Sequence, residues 1–283
     1  MKITNKLGLP QALVDAVSIR QPSDSYSASM LTKSPRQVNL ERRHHHEMER
    51  DVSDMIWSLF GTAVHKVIEQ ADPEQALTEE YLTHELSNGA KVTGMADLYE
   101  AGKVSDWKTV SVWSYVYFDD AKRFEYESQL NTYALLFELH GFSVRELEIV
   151  MLFRDWQKSK AKYNADYPQQ QVYPLPLRMW SAEHTERYLL DRTDLFDGYK
   201  NVPDDDLPFC TDAERWAKPG KVAVMKRGRK SALRVLDTTE QAEAWMAENG
   251  GEYIEQRPGE LWKRCEYCDA SAFCNQYQEG LHE

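Results

Sequence analysis

Runs of apolar residues at strand and helix spacing divide the chain into a readable order of elements. Residues 51–70 carry Ile56, Phe60, Val64, Val67 and Ile68 at helical spacing and predict a first long helix. Residues 78–86, 91–99 (KVTGMADLY) and 103–110 (KVSDWKTV) are rich in β-formers and predict three strands. Residues 124–140 (FEYESQLNTYALLFELH) return to helical spacing, 146–154 (ELEIVMLFR) read as a buried strand, and 170–180 as a further strand. Ser181 is placed to cap a helix that runs to about Lys200, and Asp204-Asp205-Asp206-Leu207-Pro208 ends that run. Residues 1–50 are polar, with short apolar spots and a turn at Ser34-Pro35. No internal repeat or low-complexity linker interrupts this order.

The second and third strands flank Glu100-Ala101-Gly102-Lys103. With Ala101-Gly102 as the turn, residues whose numbers sum to 203 face each other, which sets Asp97 opposite Asp106. Lys108 follows two residues on, on the same face. Two facing carboxylates destabilise a hairpin unless a cation sits between them. A solvated polar face is the plainer alternative for such residues.

In the first helix, Gly61, His65 and Glu69 are four apart and share a stripe. A glycine inside a helix costs about 1 kcal/mol relative to alanine, which is tolerable where something must approach the backbone. In the second helix, Gln129 and Tyr133 lie one turn apart and point the same way. Each pair taken alone is an ordinary helix face.

Composition narrows the class. The 283 residues carry a net charge of -12, so nothing global announces a nucleic-acid coat, although a locally basic channel remains compatible with it. No apolar run reaches 18 residues, and the first 30 lack a signal-peptide core. A cytoplasmic protein without disulfides is expected. Against the acidic background, residues 215–234 hold eight basic residues and no acid, with two short strands joined by Lys226-Arg227-Gly228-Arg229 and then a helix and a strand. Lys226, Arg227, Arg229 and Lys230 are therefore candidate phosphate contacts, against the alternative of a solvated hairpin. Trp216 and Trp262 could stack on bases, with core packing the better reading. His44-His45-His46 reads as an exposed charged segment.

Cys265, Cys268 and Cys274 follow a C-x₂-C-x₅-C spacing, and Cys210 lies 55 residues before the first of them. Four thiolates suit one metal centre, tetrahedral Zn²⁺ among the options. Buried thiols without metal are the alternative.

Four motifs in order resemble the PD-(D/E)XK nuclease superfamily, in its RecB/Cas4-like branch. They are G-x-x-x-H on a helix (Gly61, His65), G-x-x-D on a strand (Gly94, Asp97), D-x-K-T on the next (Asp106, Lys108, Thr109) and Q-x-x-x-Y on a helix (Gln129, Tyr133). The resemblance covers roughly residues 55–155 and implies an α/β fold: a restriction-endonuclease-like core with a mixed central sheet flanked by helices. To this core the basic ββαβ unit and a cysteine-bound metal centre are added. The implied division is an N-terminal segment (1–50) packed on the core, a nuclease core (51–205) and a C-terminal metal-binding region with the basic hairpin (206–283). By resemblance, His65, Asp97, Asp106 and the carbonyl of Trp107 ligate Mg²⁺ or Mn²⁺. Lys108 positions water and phosphate, and Gln129 and Tyr133 support the site. Glu69 is a lesser candidate, acting through water.

Some members of that branch hold a 4Fe-4S cluster with one cysteine before the core and three after it. Here Ser34-Pro35 stands where Cys-Pro is expected, so Cys210 must stand in. A 4Fe-4S cluster is favoured over Zn²⁺ by the resemblance alone. The implied activity is a DNA exonuclease of phage-type recombination, repair or processing, with DNA and a single-strand-annealing or recombination protein as partners and no membrane. A structure-specific or single-strand endonuclease is the alternative enzyme, and a non-catalytic DNA-binding module the alternative class.

Overall fold

The computed structural model describes residues 1–17, 23–71 and 76–281. The chain divides into two compact units, Met1–Val202 and Pro203–Glu283.

The first unit begins with β1 (Lys2–Thr4), α1 (Gln11–Ala16), β2 (Tyr26–Ser27), α2 (Pro35–His44) and β3 (Glu49–Asp51). The helix α3 (Ile56–Glu69) leads into β4 (Ala76–Glu85), β5 (Lys91–Glu100) and β6 (Lys103–Val110). There follow α4 (Val112–Val116), α5 (Asp120–Leu139), β7 (Glu146–Phe153), α6 (Lys158–Tyr163), β8 (Val172–Leu177) and α7 (Ala182–Gly198). The expected helix, three strands, helix, strand order is therefore present, within a mixed central sheet flanked by helices.

That sheet runs β2-β5-β6-β7-β8, with β4 on the other edge of β5. The β6–β7 pair is parallel, and β4–β5, β5–β6 and β7–β8 are antiparallel. The turn at Ala101-Gly102 has positive φ at both residues (49° and 87°), as a two-residue hairpin turn requires. It sets Leu98 against Ser105, Tyr99 against Val104 and Glu100 against Lys103, every pair summing to 203. The ladder stops there. Further back along the same edge, β5 pairs instead with β2, through Val92 and Thr93. β5 thus stands at a fork, and Asp97 lies in the gap between the two partners.

The core under the fork is built by α5. Leu130, Ala134, Leu136 and Phe137 are buried against Val104, Leu147 and Ile149 of the sheet. Asn131 binds the strand-to-helix connection. Its amide donates to the Arg178 carbonyl (2.9 Å) and its Oδ1 accepts from the Trp180 amide (2.7 Å). Ser181 then caps α7 by accepting from the His184 amide at 3.2 Å, as expected.

Two sequence expectations need correction, and the exposure of α3 is a further point. The apolar residues of α3 do not form a core face: none of its residues is buried, and Phe60 and Val67 are 55% and 68% exposed. The helix is apolar on too many sides to bury them all, and Leu59 alone packs into the small cluster of Val52 and Met55. Ser34-Pro35 opens a helix and not merely a turn, with Ser34 accepting from the Gln37 amide at 3.1 Å and proline at the first helical position. His45 is buried, not part of an exposed charged segment.

In the second unit, α8 (Asp212–Arg215) is followed by β9 (Lys221–Met225), β10 (Arg234–Leu236), α9 (Thr239–Asn249), β11 (Tyr253–Arg257) and α10 (Asn275–Gly280). β9 is the centre of an antiparallel sheet ordered β10-β9-β11. This is the expected ββαβ unit. Val222, Val224 and Ala242 form its core.

Gly94 explains how closely α5 lies on the sheet. A Cβ there would stand 2.7 Å from both Tyr133 Cδ1 and Leu136 Cδ1, nearer than carbon atoms tolerate. Gly94→Ala is expected to destabilise the protein by about 1–3 kcal/mol, as overpacking does, and urea unfolding measures the loss.

Candidate active site

The fork in β5 changes what holds Asp97. Beyond Leu98 and Ser105 the backbone ladder no longer joins β5 to β6. The Asp97 carboxylate crosses the gap in its place, Oδ2 accepting from the Trp107 amide at 2.7 Å. Its other oxygen, Oδ1, lies 3.0 Å from His65 Nδ1. The second ring nitrogen of His65 meets the Trp107 carbonyl at 3.1 Å. One imidazole projecting from α3 is thus bracketed by a carboxylate and a carbonyl. Donating to both requires the doubly protonated ring.

Asp106 and Lys108 share a face of β6. Asp106 is buried, and Lys108 Nζ lies 2.5 Å from its Oδ2 while about a quarter of the lysine side chain stays accessible. This buried oxygen is therefore met by the ammonium as an ion pair. Burial raises the Asp106 pKa, Lys108 opposes that, and the Asp97 charge adds to it. Burial pulls the Lys108 ammonium down, but its attraction to Asp106 and Asp97 outweighs this and its pKa is raised.

The site accordingly holds two carboxylates beside one ammonium and one imidazole. Among the described residues, no three His, Cys, Asp or Glu side chains are already closed around a common point. The donor set still fits a hard divalent cation. It offers carboxylate oxygens from Asp97 and Asp106, a peptide carbonyl from Trp107 and an imidazole. The buried Asp106 carboxylate, met here by Lys108, is an acceptor such an ion would share.

The remaining expected residues are placed as follows. Gln129 Nε2 donates to the Tyr133 hydroxyl at 2.8 Å, and the Tyr133 ring rests on Gly94. This pair reaches the site through the strand that carries Asp97. Glu69 is turned away, bound by Lys66 at 2.6 Å, which also reaches Glu79. Nothing among the described residues lies within 4 Å of the place a Cβ would take at Gly61. Sequence reasoning missed Glu125. It sits one turn before Gln129, on the Gln129/Tyr133 stripe, and its negative charge helps to raise Lys108. The i, i+4, i+8 spacing of Glu125, Gln129 and Tyr133 is the signal that could have found it.

Within the C-terminal unit, Cys265 lies close enough to Cys210 and Cys274 for their charges to act on it. Burial first, and these neighbours second, push its thiol up to about 11. The Gln276 side chain brackets Cys210, accepting from its amide at 2.7 Å and donating to its carbonyl at 2.9 Å. None of the four cysteines forms a disulfide.

Lys226, Arg227, Arg229 and Lys230 are exposed on the β9–β10 turn, where the Arg229 amide donates to the Lys226 carbonyl at 3.1 Å. Arg227 lies 3.7 Å from Glu252. Arg215, counted in the same basic run, is structural. It pairs with Asp212, and its guanidinium covers the Trp262 ring at 4.2 Å. Trp262 in turn packs on Gly280, where a Cβ would stand 1.9 Å from the indole. Trp216 is covered by Arg264 at 5.2 Å.

No protein-family model matches the chain, and no curated protein matches it. Two solved structures are similar in part. The crystal structure of SSO0001 is 17% identical over 68% of this chain and 84% of its own, with a TM-score of 0.45. A phage-related exonuclease from Haemophilus somnus is 11% identical over 67% of this chain and 77% of its own, with a TM-score of 0.31. Likeness this slight assigns no activity. The described residues contain no helix long and apolar enough to cross a membrane.

The pairing of His65 with Asp97 has a measurable consequence. The Asp97 hydrogen bond raises the imidazole pKa, burial opposes it, and the Asp97 and Asp106 charges reinforce it. A raised folded pKa stabilises the protein below the unfolded value of about 6.5, and that contribution is lost as pH rises through the folded value. In chelator-treated protein, NMR titration should find His65 protonated above the ordinary imidazole range. Asp97→Asn should bring it down. An unshifted His65 in the native protein would detach the imidazole from Asp97.

Proposed function

We propose that the chain is a metal-dependent deoxyribonuclease of the PD-(D/E)XK type, acting as an exonuclease in phage-type DNA recombination, repair or processing. The observation that carries this reading is the meeting of Asp97, Asp106, the Trp107 carbonyl, His65 and Lys108 at the fork between β5 and β6.

In this reading Asp97, Asp106, the Trp107 carbonyl and His65 hold one Mg²⁺ or Mn²⁺. Such an ion supplies a water of lowered pKa and neutralises charge on the phosphate. Asp97 holds the Trp107 amide and the His65 ring, and the ring meets the Trp107 carbonyl, so the three stay together. Asp106 is kept from solvent, which strengthens its field. Lys108 remains charged and orients the attacking water and the phosphate oxygen. Tyr133 and Gln129 brace the strand beneath Asp97. DNA is the substrate, and a recombination or single-strand-annealing protein is a partner compatible with that role.

Asp106→Ala and Lys108→Ala should each lower cleavage of labelled DNA on the order of 10²–10³-fold or more, the scale of losing one charge-stabilising group. Circular dichroism should remain native in both. Linear DNA should be degraded and covalently closed circles largely spared in Mg²⁺ or Mn²⁺. Rapid cutting of closed circles would favour an endonuclease. Full activity in either variant would remove the nuclease reading.

The four cysteines extend the proposal. Cys210, Cys265, Cys268 and Cys274 would bind a 4Fe-4S cluster, or Zn²⁺ as the alternative, as thiolates, releasing their protons. Anaerobically purified protein should be brown and carry iron in the first case, colourless with zinc in the second. Protein with neither metal would refute both.

The basic turn would contact phosphates. Replacing Lys226, Arg227, Arg229 and Lys230 together should flatten the log–log salt dependence of DNA binding by about 0.7–0.9 per lost contact. An unchanged slope would leave the turn a solvated surface.

A further inference from the structure

Aromatic rings stand exposed around the end of β6 that carries Lys108. Trp57 of α3 is 61% exposed, and the Arg154 guanidinium lies over its ring at 4.4 Å. Arg154 also donates to the Thr109 carbonyl at 3.4 Å, which places this stacked pair one residue from Lys108. On α4, Trp113 is 52% and Tyr117 66% exposed, and their rings stack at 5.6 Å with an interplanar angle of 19°. The Val112 amide donates to Asp155 Oδ1 at 2.7 Å, tying the root of α4 to the residue after Arg154. That bond absorbs the acid of the segment. Beyond it, α6 (KSKAKY) brings three lysines and no acid.

A contiguous patch of exposed aromatic rings marks an interaction surface. Its chemistry fits one occupant. Phosphates gain nothing from an indole face, and a duplex keeps its bases stacked inside. A single strand offers both unstacked bases for the rings and phosphates for the cations. A protein partner would find the rings interleaved with Arg154 and the α6 lysines, a poor match for an apolar interface core.

We propose that Trp57 with Arg154, and Trp113 with Tyr117, form stacking platforms for single-stranded DNA entering the site, with α6 contacting its phosphates. This rests on the nuclease reading and deepens it. The strand delivered to Lys108 is unpaired, as an overhang or a frayed end.

The test measures binding in chelator, where no cleavage occurs. Fluorescence anisotropy of a labelled oligothymidylate and of a blunt duplex of equal length is followed with the native protein, Trp57→Ala and Trp113→Ala. Each variant should bind the single strand on the order of 5- to 150-fold more weakly, the value of one base stack, with duplex binding unchanged. Quenching of tryptophan fluorescence by the oligonucleotide should fall in both variants. Because both residues are exposed, native melting temperatures are expected. Unchanged single-strand affinity, or an equal loss on duplex, would overturn the proposal. So would native protein that sediments as a dimer and variants that sediment as monomers, since the rings would then cover a second copy. Failure here leaves metal-dependent cleavage, measured separately, untouched.

Discussion

The hydrogen bond from the Trp107 amide to the Asp97 carboxylate is the contact on which the site depends. Where β5 and β6 part, a peptide amide loses its ladder partner and must find another. Asp97 supplies it with one oxygen and keeps the other for His65. The carbonyl of the same residue, in the next peptide, faces the imidazole. A single side chain thus satisfies the opened backbone and gathers carboxylate, carbonyl and imidazole on one side of the gap. The opening is imposed by topology, because β5 pairs with β2 on one side of it and with β6 on the other.

Electrostatics shape the rest. Asp106 is nearly buried and lies near a second carboxylate, an arrangement that is costly without positive charge. In the chain alone, Lys108 and the His65 imidazole supply that charge. A divalent cation would compete with them for the same oxygens.

Much of this was legible in the sequence, and the reasons differ by element. The β5–β6 register followed from Ala101-Gly102 as far as Leu98 and Ser105, but the expected Asp97–Asp106 pair lies beyond the end of the ladder. The termination of the ladder was not legible, since it depends on β2, two residues long and far away in sequence. The short helices α2, α4 and α6 escaped for the same reason: they are too brief to carry a periodic signal and are fixed by caps and tertiary contacts. α3 shows where such a reading stops. Its helical spacing was correct, but periodicity says which residues share a face, not whether anything covers that face. Glu125 was hidden because its role is electrostatic and reaches Lys108 across space. In the C-terminal unit the ββαβ order was readable because a basic turn with Gly228 (φ +80°) separates two clear strands.

The claim that the fork between β5 and β6 is a cation site is tested most directly by anomalous diffraction from crystals grown with Mn²⁺. The account predicts a manganese peak in contact with Asp97 and Asp106 and beside the Trp107 carbonyl, lost in Asp106→Asn. Well-ordered density for these residues with no peak between them would contradict it.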